Sequence, residues 1–186
     1  MEHEKWFALR VYYGGLKKVL RIKEIFDGDG IETFVPMRYA DTINSEDPNE
    51  PSRVPALKDL VMIRATDGTL EAVKDRHRDK KELLHLDYYR HRGGEKKGRA
   101  IVIPLRQMQQ FLDSVKANED SVTYYTVDQL KQKKGRPVVV LAGQFKGVEG
   151  VLMRIEKNRH VVVMLPGVLG ASLTHIPVTM LQFKNQ

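Results

Sequence analysis

Cysteine is absent from this chain. That excludes disulfides, thiolate metal sites and a cysteine nucleophile, and it fits a reducing compartment. Long apolar runs are missing too, and no stretch approaches the roughly 20 residues a membrane-spanning helix needs. The first residues, Met1-Glu2-His3-Glu4-Lys5-Trp6, are charged and lead straight into a strand-like run. They resemble neither a signal peptide nor a transit peptide, so the expected location is cytoplasmic, with no membrane partner.

Familiar catalytic patterns are also lacking. The histidines at 3, 77, 85, 91, 160 and 175 form no HExxH and no paired metal spacing, and no GxSxG elbow occurs. Gly93-Gly94-Glu95-Lys96-Lys97-Gly98-Arg99-Ala100 has glycines at the separation of a phosphate-binding loop. Arg99 and Ala100, however, stand where Lys and Ser or Thr are required, and the strand-like Ile101-Val102-Ile103 follows in place of a helix. Asp27-Gly28-Asp29-Gly30 lacks the further acids of a calcium loop and reads as a helix stop. The expectation is a protein that is not an enzyme and holds no cofactor or metal.

Hydrophobic residues make up 41% of the 186, enough for real cores and for one large domain or two small ones. Lys and Arg number 31 against 24 Asp and Glu, a formal +7 with a pI near 9.5. Such a balance favours nucleic acid or an acidic protein surface as partner. Arg76, Arg78, Lys80, Lys81, Arg90, Arg92, Lys96, Lys97 and Arg99 crowd the middle of the chain, whereas Glu46, Asp47 and Glu50 lie in a separate polar, proline-rich loop. A charge run of this kind is either a solvated face or a phosphate contact. Tyr88-Tyr89-Arg90-His91-Arg92 mixes aromatic and basic residues as nucleic-acid surfaces do, and reads equally as a hairpin arm with tyrosines alternately buried.

Along the chain, Trp6 to Tyr13 reads as a strand ended by Gly14-Gly15. Leu16, Val19, Leu20 and Phe26 recur at helical spacing. Ile31 to Tyr39 reads as a strand whose Pro36 marks an edge or bulge. Leu57 to Ala65 is another strand, and a short helix follows near Thr69 to Lys74. Leu83–Tyr89 and Arg99–Ile103 look like two arms of a hairpin around Gly93-Gly94. After Pro104, Met108, Phe111, Leu112 and Val115 mark an amphipathic helix. Residues 118–133 read as a polar linker, and all that follows is strand and turn. The order implies an α+β sandwich over 4–117 and a small barrel over 134–184.

Gly135 to Gly150, in which a valine-rich strand meets a glycine turn holding Phe145, resembles the KOW motif. Gly143 can supply a positive φ for the turn, and Gly150 permits a bulge or a close backbone approach. With Trp6-Phe7-Ala8-Leu9-Arg10-Val11, the Val35-Pro36 element and the Met108/Phe111/Leu112 helix ahead of it, nearly the whole chain resembles NusG, a transcription elongation and antitermination factor. The resemblance implies a ferredoxin-like α/β sandwich, the NGN domain, followed by an SH3-like KOW β-barrel. Leu57-Lys58-Asp59-Leu60 stands where the family carries an aromatic Phe-Pro element. With the acidic loop from Ser45 to Ser52, this departure resembles specialised paralogues of the RfaH or UpxY kind, which act on selected long operons.

The resemblance also implies sites. Trp6, Arg10, Leu57, Leu60 and Met62 match positions that dock on the clamp helices of the RNA polymerase β′ subunit, with Leu60 and Met62 expected in an exposed apolar patch. The competing reading makes them core residues under the helices. Arg10 is expected to pair an acidic clamp residue or stay solvated. Arg90, Arg92, Lys96, Lys97 and Arg99 are expected near DNA or nascent RNA. Val168 and Leu169 match the tip that meets Rho or a ribosomal small-subunit protein, or else fold over the barrel end. A ribosome-associated or RNA-binding KOW module is the alternative function.

Overall fold

The structure is a computed structural model and describes residues 3–40, 52–117, 119, 121–131, 133–173 and 176–184. Most of the acidic loop expected from Ser45 to Ser52 thus lies outside the described residues. The chain divides into two compact units, Met1–Leu105 and Arg106–Gln186. The division falls at the start of the amphipathic helix, whereas the sequence placed a boundary after it. Mixed α+β architecture is present as expected.

The first unit is built on β1 (Lys5–Val11), the central strand of an antiparallel sheet. Helix α1 (Leu16–Gly28) follows, then β2 (Thr33–Phe34), β3 (Met37–Tyr39), β4 (Arg53–Pro55) and β5 (Leu60–Ala65). Helix α2 (Thr69–Arg76) leads to β6 (Leu86–Tyr88) and β7 (Val102–Ile103). The sheet order is β2-β5-β1-β6, with β7 also on β1, while β3 and β4 pair separately. The expected Ile31–Tyr39 strand is broken at Pro36, which lacks the N–H a continuous ladder needs.

On one sheet face, Phe7, Leu9 and Val11 alternate with Val61, Ile63 and Ala65 to form a core. Val19, Ile22 and Phe26 of α1 and Leu70 and Val73 of α2 close over it. Burial of each large side chain here contributes about 1.5–3 kcal/mol. Helix α1 ends where the sequence placed a stop. Gly30 has φ 75°, its N–H bonds to the Asp27 carbonyl at 3.0 Å, and Ile31 N–H bonds to the Phe26 carbonyl at 3.0 Å. That pair of bonds is a Schellman termination.

The expected hairpin around Gly93-Gly94 is formed at its neck, where Arg90 and Ala100 bridge antiparallel, but its outer arms pair elsewhere. Both arms pair antiparallel with β1: Leu9 faces Tyr88 and Val11 faces Leu86, while Trp6 faces Ile103 and Phe7 faces Val102. They act as one interrupted edge strand. The chain leaves the sheet after Tyr89 and returns at Ile101, whose N–H bonds to the Tyr89 carbonyl at 2.7 Å.

In the second unit, helix α3 (Leu105–Lys116) buries Met108, Phe111 and Val115, as their spacing predicted. Next come β8 (Thr123–Thr126) and α4 (Val127–Leu130), in the stretch expected to be a linker. Thr126 accepts from Gln129 N–H and the Gln129 side chain accepts from Thr126 N–H, a capping box that starts the helix. Strands β9 (Gly135–Val140), β10 (Glu149–Ile155), β11 (Asn158–Leu165), β12 (Leu169–Leu173) and β13 (Leu181–Phe183) complete an antiparallel sheet of order β13-β9-β10-β11-β12-β8. The hydrogen-bonded path runs from β13 to β8, and among the described residues no pairing of those two strands closes it into a barrel.

Both faces of this sheet carry buried residues. Val161, Val163 and Leu165 pair with Leu173, Ala171 and Leu169 on one face. On the other, Leu130, Met153, Ile155 and Val162 cluster with Tyr125, Val151 and Met164. The glycine turn behaves as its residues require. Gly143 has φ 77°, Phe145 is buried, and a Cβ on Gly150 would lie 2.8 Å from Val161 Cγ1 and 2.9 Å from the Val162 carbonyl oxygen. Among the described residues, no helix is long and apolar enough to cross a membrane.

Candidate functional site

The register of β1 on β5 places Trp6 opposite Arg64, Ala8 opposite Met62 and Arg10 opposite Leu60. Alternation then sets Trp6, Arg10, Leu60 and Met62 on one sheet face, the one turned away from the α1 core. Leu57 lies just outside β5 and is half-buried. The expected exposed patch is not there: Trp6 is 3% exposed, and Leu60 and Met62 are 0%. Leu60-Val61-Met62-Ile63 is apolar at consecutive positions, the pattern of a strand covered on both faces.

Arg10 is half-buried and already has partners within the chain. Its Nε stands 3.8 Å from Asp59 Oδ2, and its guanidinium lies over the Tyr89 ring at 4.8 Å. The Tyr89 hydroxyl donates to Asp59 Oδ2 at 3.2 Å. Burial, then the Asp59 charge, pushes the Tyr89 phenol up to about 12. Burial by itself would lower the pKa of Arg10, but Tyr89, then Tyr12 and Asp59, together outweigh it and hold the pKa above its ordinary value. Asp59 and Tyr89 are site residues that sequence reasoning missed as partners of Arg10. They are distant in the chain and meet only through sheet pairing.

Several cations of the basic stretch are held in ion pairs. Arg76 lies 2.8 Å from Asp29, Arg78 is 3.2 Å from Asp75, and Lys80 is 3.6 Å from Asp79. Asp29 also meets His77 Nε2 at 3.0 Å, and the His77 hydrogen bond, with the Arg76 charge, lowers its carboxyl pKa. Arg90 holds the neck of the loop, donating to the Gly98 carbonyl at 3.0 Å and to Asp87 Oδ1 at 3.0 Å. Arg90 remains exposed while it makes these bonds. Arg92, Lys96, Lys97 and Arg99 are exposed. Tyr88 packs against Phe7, with ring centroids 5.3 Å apart, so the tyrosines of the basic run face the body of the unit.

The expected apolar tip at Val168 and Leu169 is also buried, at 3% and 0% exposed. The turn consists of Pro166 and Gly167, with Val168 N–H bonded to the Leu165 carbonyl at 3.0 Å and Gly167 at φ 78°. Proline followed by a positive-φ glycine is a type II turn, which leaves Leu169 to pair with Leu165 at the strand start. Among the described residues, no group of three or more His, Cys, Asp or Glu is placed to hold a metal ion.

Neither a protein-family model nor a curated protein matches the chain.

Proposed function

We propose that this protein is a NusG-like transcription elongation and antitermination factor, a non-catalytic cytoplasmic adaptor that binds RNA polymerase and promotes processive transcription of selected long operons. The observation that carries the reading is Gly150. Its close packing against Val161 and Val162, just after the Gly143 turn, is what a KOW-type strand entry demands. The first unit is read as an NGN domain and the second as a KOW domain of SH3-like descent. Arg10 and Leu57, both partly exposed, supply the rim that meets the β′ clamp helices. Trp6, Leu60 and Met62 hold the strands that present this rim. The basic loop lies near DNA or nascent RNA, and the second unit meets Rho or a ribosomal small-subunit protein.

An adaptor of this kind works by binding the processive state of the polymerase more tightly than the paused one, and needs no catalytic group. The test is capture of RNA polymerase from lysate on the purified chain, repeated with Arg10→Glu. Retention of β′ by the native chain, with loss in the variant, is the expected result. Retention of ribosomal proteins alone favours the RNA-binding or ribosome-associated reading, and retention of neither overturns the adaptor.

A further inference from the structure

We infer that the loop from Arg90 to Arg99 grips the phosphate backbone of a nucleic-acid duplex without reading its bases. This deepens the nucleic-acid contact proposed above and rests on that reading for its place in transcription. The loop is a built element. His91 N–H bonds to the Arg99 carbonyl at 3.0 Å, Gly98 N–H bonds to the His91 carbonyl at 2.9 Å, and Arg90 bridges to Ala100 at the neck. At the tip, Lys97 N–H bonds to the Gly94 carbonyl at 3.1 Å and Arg99 N–H to the Lys96 carbonyl at 3.0 Å. These bonds hold the cation-bearing backbone closed before any ligand arrives, which lowers the ordering cost of binding.

Ion pairs of the described residues take up Arg76, Arg78, Lys80 and Arg90 and leave Lys96, Lys97 and Arg99 out. All three are exposed, and Glu95 is the acid between Arg90 and Arg99. No Phe, Tyr or Trp occurs in that stretch, and the preceding Tyr88 and Tyr89 are engaged by Phe7 and Asp59. Proteins that hold single strands combine cations with aromatic platforms for the bases. This loop has the cations and lacks the platform. A duplex, with one charge per about 1.7 Å of axis, offers a compact cation cluster more phosphate than a single strand does.

The test is fluorescence anisotropy of the full chain against duplex DNA of two unrelated sequences, the matching single strands and the matching RNA duplex, over a salt series. Equal affinity for the two DNA sequences, and weaker binding of single strands, is expected. Binding of the RNA duplex alongside DNA assigns the contact to shared phosphates, and a preference for one duplex names its source. Lys96→Gln with Lys97→Gln should flatten the slope of log K against log salt by about 2, roughly 0.9 per lost phosphate contact, and weaken binding on the order of 50-fold near 0.1 M salt. Lys23→Gln, on α1 and paired with Asp27, removes a charge elsewhere and should change neither. An unchanged slope in the double variant, tighter binding of single strands, or clear discrimination between the two sequences would overturn the proposal. Loss of duplex binding with polymerase capture intact removes the loop's role alone. Duplex binding without polymerase capture removes the adaptor reading alone.

Discussion

Leu60 and Met62 on β5, and Lys96 and Lys97 on the edge-strand excursion, were expected to meet partners outside the chain, yet they sit in opposite environments. The strand residues are fully buried, and the loop residues stand in solvent. The strand is apolar at both parities, so each face has something to hide, and the fold hides both. The loop carries glycines, cations and no large apolar side chain, so nothing draws another element over it. An apolar signal at strand spacing therefore reports burial, while a charge run reports a surface whose partners depend on which acids lie nearby.

The largest expected effect comes from cutting the buried member of this comparison. Leu60→Ala and Met62→Ala should each cost about 2–5 kcal/mol of unfolding free energy, as lost transfer energy and cavity add. A carboxylate at either position should cost more, because an unpaired charge is then buried. Urea denaturation checks both. Full stability combined with lost polymerase capture would reverse the comparison and make the strand face a free docking surface.

A smaller effect separates paired from unpaired cations within the basic stretch. Asp29 has its pKa lowered by His77 and Arg76, so its ionised form favours the native state. The sign is fixed by linkage: this stabilisation is present above the ordinary carboxylate range and is lost as pH falls through the depressed native value. Asp29→Asn should lower stability near neutrality and flatten the acid limb of a stability-against-pH profile measured by thermal unfolding. An acid limb identical in both proteins would show that the Asp29 pairs contribute nothing.

The smallest effect belongs to the loop. Lys96→Gln with Lys97→Gln should leave unfolding free energy within about 0.5 kcal/mol of the native chain, the usual range for exposed positions without partners. A larger loss would mean that these lysines support the fold, and the contrast with Leu60 and Met62 would weaken.

Much of the fold was legible residue by residue. The Asp27–Gly30 helix stop, the buried stripe of α3 and the Gly143–Gly150 turn follow from local chemistry, because spacing and backbone freedom act within a few residues. Residues 121–131 were misread as linker. The polar run from Asn118 to Ser121 masked Thr123-Tyr124-Tyr125-Thr126, whose β-branched and aromatic residues pair with β12, and the Thr126–Gln129 capping box signalled α4. The interrupted edge strand was illegible for another reason. Two short apolar segments around a glycine turn look like a full hairpin even when, as here, they pair with each other only at the neck and with a third strand beyond it.

The candidate site divides the same way. Strand parity alone puts Trp6 on one face with Arg10, and Leu60 on one face with Met62. Only the tertiary structure joined the two pairs on one face, covered three of the four residues, and turned Arg10 toward Asp59 and Tyr89. It likewise decided that Arg76 and Arg90 are taken by Asp29 and Asp87 while Lys96 and Lys97 are not. Periodicity and turn chemistry are local and can be read from the order of residues. Burial and charge neutralisation depend on which groups come within a few ångströms through space, and for residues far apart in the chain that distance is set by the packing of strands and helices.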